Sequence, residues 1–399
     1  MKESIKMQEN TSVVCHSADA VLFGKECAGH VRQYHRSFPN YQQTHLKKLS
    51  HLAKFLDVHT IYVKDESTRF GLNAFKGLGG SYCIGKYIGE LCNISTEQLS
   101  YNMLIQAETK EKTKGLTFVT ATDGNHGRGI AWTAQKLGLK AIVYMPKGSA
   151  IERLENIRQL GAQAEITNYN YDDTVRFAAE CGKTKGWILV QDTAWDGYEK
   201  IPTWIMQGYT TMALEAAEQM HDIPTHIFLQ AGVGAMSGAL AAFFADYYKE
   251  KKPKIIIVEP DQADCIYRTA EVADGTVHAV KGDMKTIMAG LACGEPCTIG
   301  WRMLKQYADF FVSIPDAVAA KGMRVLGNPL AGDDAIVSGE SGASTMGLVS
   351  ELLMKKQWKN LKERIGLDEQ SKILCFSTEG DTDQKNYRRI VWDGAYPNI

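Results

Sequence analysis

The chain has 399 residues, room for two to three domains at about 150 residues each, and its 44% hydrophobic and 23% charged residues with 36 Gly and 10 Pro exclude a disordered or collagen-like polymer. Forty-five Lys plus Arg against 46 Asp plus Glu leave a formal net charge of -1, so no overall field is available to hold nucleic acid. The longest strongly apolar stretch, Gly238 to Ala245, stops at Asp246, well short of the roughly 18 residues a membrane span requires.

At the N-terminus Lys2 and Lys6 precede only Val13-Val14-Cys15, too short an apolar run for a secretory signal. Nine cysteines, an odd number spread over the whole length, predict reduced thiols in a cytoplasmic protein. The first 55 or so residues have weak periodicity and predict irregular structure with one helix around His45 to Phe55. Beyond them β-branched runs alternate with amphipathic stretches, the pattern of an α/β protein with a mostly parallel sheet.

Buried strands are predicted at Ile61–Val63, Thr117–Val119, Ala141–Tyr144, Ile188–Val190, Ile227–Leu229, Ile255–Val258, Phe311–Ser313 and Ile373–Phe376. Helices are predicted from Ile151 to Leu160 closed by Gly161, from Asp172 to Cys181 closed by Gly182, and from Thr203 to Met220 after Pro202. No repeat and no low-complexity linker is present, so the domains are expected to be interleaved.

Ligands of α/β sheets collect at the carboxyl ends of strands, and four such junctions stand out. The first, Val63 to Gly80, places Lys76 between Phe75 and a glycine-rich helix start. A lysine is usually a solvated surface residue, but one desolvated here would lose its proton readily and could form a Schiff base with a carbonyl cofactor. The second, Thr122-Asp123-Gly124-Asn125-His126, leads into a helix whose free N–H groups suit a carboxylate, although a capped turn explains it equally well.

The third, Gln230-Ala231-Gly232-Val233-Gly234-Ala235-Met236-Ser237, lets backbone approach a phosphate at a helix N-terminus. It is neither a dinucleotide fingerprint nor a P-loop, and a tight turn is the plainer reading of it alone. The fourth, Ser377-Thr378-Glu379-Gly380-Asp381, sets two hydroxyls after the last long strand, where they could also cap a helix. Cys293 and Cys297 form a C-x3-C without a second pair of ligands, so no metal site is expected.

Taken in this order, the four junctions resemble the fold-type II family of pyridoxal 5'-phosphate enzymes, which includes the serine and threonine dehydratases and the tryptophan synthase β-subunit. The segments Asp192-Thr193-Ala194-Trp195, Lys200 to Tyr209, Gly290 to Pro296 and Ser377 to Asp383 are most similar to the branch of that family acting on 2,3-diaminopropionate.

The resemblance implies two open, mostly parallel α/β domains with the cofactor in the cleft between them: residues 1–76 and 201–399 as a discontinuous large domain, 77–200 as a smaller one. It implies pyridoxal 5'-phosphate bound covalently to Lys76, flanked by Phe75, with Asn125 at the ring hydroxyl. Ala231, Gly232, Val233, Gly234 and Ala235 would hold the phosphate, and Ser377, with Thr378 the neighbouring choice, the pyridine nitrogen. Thr122, Asn125 and His126 would bind the substrate carboxylate.

Lys76, Asp123 and Asp192 would be catalytic in an α,β-elimination that turns D- and L-2,3-diaminopropionate and water into pyruvate and two ammonia. Lys76 and Asp123 would serve opposite faces of Cα, and Asp192 would hold the β-ammonium or assist the proton traffic. A helix cap for Asp123 and a turn for Asp192 remain alternatives. A homodimer is implied too. Cys265 and Cys293 sit in signature segments, and two reduced thiols are expected there. Serine or threonine deamination or β-replacement on the same scaffold stays open, as does a non-catalytic phosphate-ligand-binding regulatory protein, which would have no need of a buried amine at Lys76.

Overall fold

The computed structural model describes residues 4–122 and 124–397 of the chain. Seven strands form one sheet in the order β1-β10-β9-β8-β11-β3-β2. These are β1 (Lys6–Glu9), β2 (His45–Lys48), β3 (Thr60–Asp65), β8 (His226–Gln230), β9 (Lys254–Pro260), β10 (Phe310–Ile314) and β11 (Lys372–Ser377). The inner pairs run parallel and only the outermost strands, β1 and β2, run antiparallel. A second sheet, order β6-β5-β4-β7, is wholly parallel: β4 (Thr117–Ala121), β5 (Lys140–Met145), β6 (Gln163–Ile166) and β7 (Ile188–Leu189).

Composition explains the placement. Central β9, read Lys-Ile-Ile-Ile-Val-Glu-Pro, is buried after its first residue, whereas edge strands β1 and β2 carry Lys6, Lys47 and Lys48, side chains that discourage further pairing. The apolar stretch Gly238 to Ala245 lies within the helix Ala235–Tyr248 and is buried in the core. No helix of the described residues is long and apolar enough to cross a membrane.

All eight predicted strands are present. The first 55 residues differ from expectation: they contain β1 and the helix Lys25–Arg36, and His45 to Phe55 splits into β2 and the short helix Ser50–Phe55. The helix Lys25–Arg36 is mostly polar and buries only Ala28, Val31, Tyr34 and His35, too narrow a stripe to stand out. The predicted helix after Tyr171 runs on to Lys185, because Gly182 packs inside it and Gly186, at φ 67°, is the left-handed cap.

Two close backbone approaches fix the start of the helix Gly77–Cys92. At its crossing with the helix Lys200–Gln219, a Cβ on Gly208 would come within 2.6 Å of Gly79 Cα, and at its approach to the helix Asn125–Leu137 a Cβ on Gly129 would lie 3.0 Å from Gly77 Cα and the Lys76 carbonyl oxygen.

Upstream, the chain leaving β3 is anchored by a buried charge cluster. Lys64 Nζ and Arg69 Nη2 donate to Glu215 Oε2 at 2.8 and 2.7 Å, and Arg69 Nε donates to Glu66 Oε2 at 2.8 Å. Burial alone would raise the Glu215 carboxyl, but Arg69 and Lys64 outweigh it and hold it at about 2. Glu215→Gln would leave two buried cations facing one carboxylate and is expected to cost about 3–5 kcal/mol, read from the urea midpoint of the holoprotein.

Candidate active site

Residues far apart in sequence, just past the carboxyl ends of β4, β7, β8 and β11, meet at one cavity. Leaving the anchored loop, the chain makes a short antiparallel contact with the end of β11. Phe75 N–H donates to Thr378 O at 3.0 Å, Gly380 N–H donates to Asn73 O at 3.0 Å, and Ala74 bridges Glu379. This link sets Lys76, at the N-terminus of the helix Gly77–Cys92, beside Thr378.

The Lys76 ammonium donates to Asp192 Oδ2, just past β7. The other Asp192 oxygen accepts from Gln191 Nε2 at 3.2 Å and Tyr171 OH at 3.4 Å. Burial by itself would raise this carboxyl; the adjacent His126 ring and Lys76 ammonium reverse that and hold it at about 2. His126 is itself lowered by burial, with the Asp192 carboxylate pulling the other way.

Opposite lies the turn between β8 and the helix Ala235–Tyr248. Gly234 has φ 86°, a conformation other residues rarely adopt, and a Cβ on Gly232 would press on Leu291 Cα at 3.1 Å and Cys293 Sγ at 3.2 Å, so both positions favour glycine. Beside the turn, Gln230 Nε2 donates to Thr378 Oγ1 at 2.8 Å and to Phe376 O at 3.0 Å. Together these groups line one cavity.

Of the sequence-predicted residues, Phe75, Lys76, Thr122, Asn125, Asp192, Ala231, Gly232, Val233, Gly234, Ala235 and Thr378 line this cavity. Asp123 lies outside the described residues. Two others stand back from it. Ser377 is fully buried with its hydroxyl donated to Ser338 Oγ at 2.8 Å, because successive strand residues point to opposite faces and Thr378 takes the cavity side. His126 is buried behind Asp192, its Nε2 on the Val190 carbonyl at 2.8 Å, and stands off the cavity lining. None of the nine cysteines, Cys265 and Cys293 included, is in a disulfide among the described residues.

Sequence reading missed Tyr171, Tyr209, Gln230, Ser341 and Glu379, which also line the cavity. Glu379 Oε2 accepts from Asn125 Nδ2 at 2.5 Å and Oε1 from Ser341 N–H at 3.2 Å. Its presence in the last signature segment was a usable signal. The buried Glu340 carboxyl nearby is pushed up to about 7 by burial and by the charge of Glu379. Tyr171 and Tyr209 lie on helices, where an aromatic residue reads as core.

A family model described as pyridoxal-phosphate dependent enzyme matches residues 38–365. The chain belongs to this family. Within the pyridoxal-phosphate dependent enzymes it is 50% identical over 401 residues to a diaminopropionate ammonia-lyase of Salmonella typhimurium, covering 99% of both chains. The holo crystal structure of diaminopropionate ammonia-lyase from Escherichia coli matches with a TM-score of 0.93 at 47% identity, covering 99% of this chain and 98% of that one. The same enzyme solved with an aminoacrylate-PLP azomethine reaction intermediate matches with a TM-score of 0.91. By contrast, identity to a biosynthetic L-threonine dehydratase of Haemophilus influenzae is 25% over 295 residues, covering 73% of this chain and 50% of the dehydratase. The fold is that of the fold-type II enzymes.

Proposed function

We propose that this chain converts D- and L-2,3-diaminopropionate and water into pyruvate and two ammonia by pyridoxal 5'-phosphate-dependent α,β-elimination. The observation that carries this reading is the Lys76–Asp192 pair in one cavity with the Gly232–Gly234 turn and Thr378. Near-full-length likeness to diaminopropionate ammonia-lyases supports it over a serine or threonine dehydratase.

The residues present fit the cofactor. The side-chain-free turn at Gly232 and the N-terminus of the 14-residue helix Ala235–Tyr248 suit a phosphate, since the first-turn N–H groups have no intrahelical acceptor. Lys76 would hold the cofactor covalently, with Phe75 beside it, Asn125 at the ring hydroxyl, and Ala231 to Ala235 at the phosphate. Thr378 rather than Ser377 faces the pyridine nitrogen: its oxygen already accepts from Gln230, which leaves its own proton to donate. When bound, pyridoxal phosphate supplies an electron sink for the charge developed at Cα.

The protein's own groups do the rest. Thr122 Oγ1 accepts the N–H groups of Gly124 at 2.9 Å and Gly127 at 3.1 Å, so its hydroxyl proton and the Asn125 helix start remain for the substrate carboxylate. The Lys76 amine would take the Cα proton on one face, and Asp123 would take it on the other. Asp192 holds the β-ammonium that leaves, and His126 stands behind it with Nδ1 3.8 Å from Asp192 Oδ2. The product enamine tautomerises and hydrolyses to pyruvate and the second ammonia. The working form we propose is a cytoplasmic homodimer.

Pyruvate and ammonia release from separate D- and L-2,3-diaminopropionate, with D- and L-serine as competitors, tests this reading. Two ammonia per pyruvate from both isomers is the expected result; faster turnover of serine would overturn the substrate assignment. Asp123→Asn is expected to lower turnover of the D-isomer by about 10²-fold or more while sparing the L-isomer, the size of a lost general base. Equal loss on both isomers would rule out a face-specific role.

A further inference from the structure

We infer that Tyr209 is a specificity-determining residue of the same site, its phenol reserved for a polar substituent on the substrate's β-carbon. This rests on the elimination reading above and adds to it the group that distinguishes a β-amino or β-hydroxy substrate from one bearing only hydrogen.

Tyr209 projects from the helix Lys200–Gln219 into the cavity shared by Lys76 and Asp192. Its ring is locked: its centroid lies 4.8 Å from that of Phe75, and a Cβ on Gly79 would come 2.5 Å from its Cε1. The residue is 1% exposed, yet its hydroxyl has no hydrogen-bond partner among the described residues. Buried hydroxyls are nearly always paired, because leaving one unsatisfied forfeits its hydration with nothing in return. A rigid, buried phenol with no protein partner on the wall of a ligand cavity is thus a vacancy for a ligand atom.

The chemistry of that atom follows from the neighbours. Burial pushes the Tyr209 phenol up, with Lys76 and Asp192 within electrostatic reach, so it stays neutral throughout the working range. A neutral phenol both donates and accepts, and so serves a β-amine, a β-ammonium or a β-hydroxyl. Asp192, which in the reading above holds the departing β-ammonium, is within its electrostatic reach. An amino acid with a bare β-methyl leaves the phenol as it was, unpaired. Ring packing is independent of the hydroxyl, so Tyr209→Phe deletes the hydrogen bond and nothing else.

The test uses wild-type and Tyr209→Phe holoenzyme. Rapid-mixing titration of the visible cofactor band gives initial affinities for serine and for alanine, which differ only in the β-hydroxyl. The ratio of serine to alanine affinity is expected to fall about fivefold in Tyr209→Phe, with alanine affinity unchanged, and kcat/KM for diaminopropionate to fall by a similar factor. The thermal midpoint is expected to hold or rise, since an unsatisfied buried group has been removed. An unchanged serine-to-alanine ratio, an equal loss for both amino acids, or a midpoint lowered by several degrees would overturn the inference, the last by exposing a structural partner. Failure of the elimination reading would appear separately, as no pyruvate from diaminopropionate with wild-type protein, and would leave the affinity ratio readable.

Discussion

Lys76→Ala is expected to lower pyruvate formation from 2,3-diaminopropionate by at least about 10³-fold, because one substitution removes both the covalent anchor of the cofactor and the base on one face of Cα. Borohydride should then fix no cofactor to the chain, whereas the wild-type protein should be modified at Lys76. The loss also has an electrostatic part. Asp192 is 4% exposed and donates nothing; with the Lys76 ammonium gone, part of what holds its carboxyl at about 2 disappears and its pKa climbs. Lys76→Arg separates the two parts. A guanidinium restores a cation beside Asp192 but forms no Schiff base at working pH, so this variant should regain thermal stability lost in Lys76→Ala and remain inactive. Full activity in either variant would remove Lys76 from the chemistry.

How far the sequence carries the site depends on whether a residue's role is local. The Gly232 and Gly234 turn was legible because strand, small residues and helix follow one another in the chain, and the structure shows why glycine is favoured: Leu291 and Cys293 press on one position and φ is positive at the other. Lys76 was legible for the same reason, lying in a glycine-rich helix start. Which of Ser377 and Thr378 faces the cavity was not. It depends on where β11 ends and on the pairing of Ala74 with Glu379, a contact across about three hundred residues that no local pattern records.

His126 marks a different limit. Its place in the motif is beside Asn125, but a helix turns about 100° per residue, so neighbours in sequence face different ways. Asn125 turns to Glu379 and the cavity while His126 turns inward to Val190 and Asp192. The N-terminal region failed for want of signal: the helix Lys25–Arg36 is held by tertiary contacts of Tyr34 and His35, whose ring nitrogens meet Thr211 and the Leu78 carbonyl at 2.7 and 3.0 Å. Those partners are the helices that carry Tyr209 and Lys76, so a segment silent in sequence still buttresses the site.

Asp192→Asn carries the second large effect and separates charge from shape. The amide keeps the side chain's size and one acceptor oxygen, so the contacts from Gln191 and Tyr171 can persist, but it cannot balance the Lys76 ammonium or a β-ammonium. We expect kcat for diaminopropionate to fall about 10²–10³-fold, with a much smaller loss on serine, whose β-hydroxyl carries no charge. Equal losses on both substrates would remove Asp192 from the handling of the β-ammonium. Its pH behaviour has a definite sign. The carboxyl is at about 2 in the folded chain against an ordinary 3.8, so ionisation favours the folded state above about pH 4, and that contribution is lost as pH falls toward 2. The stability gap between wild type and Asp192→Asn should therefore be constant from pH 5 to 8 and narrow below pH 4. Over the same neutral range Asp192 stays ionised, so the acid limb of kcat/KM belongs to another group and should survive in Asp192→Asn at an unchanged midpoint. If the limb moves with the substitution, Asp192 is titrating during turnover and a carboxylate that stays ionised is the wrong description of the working enzyme.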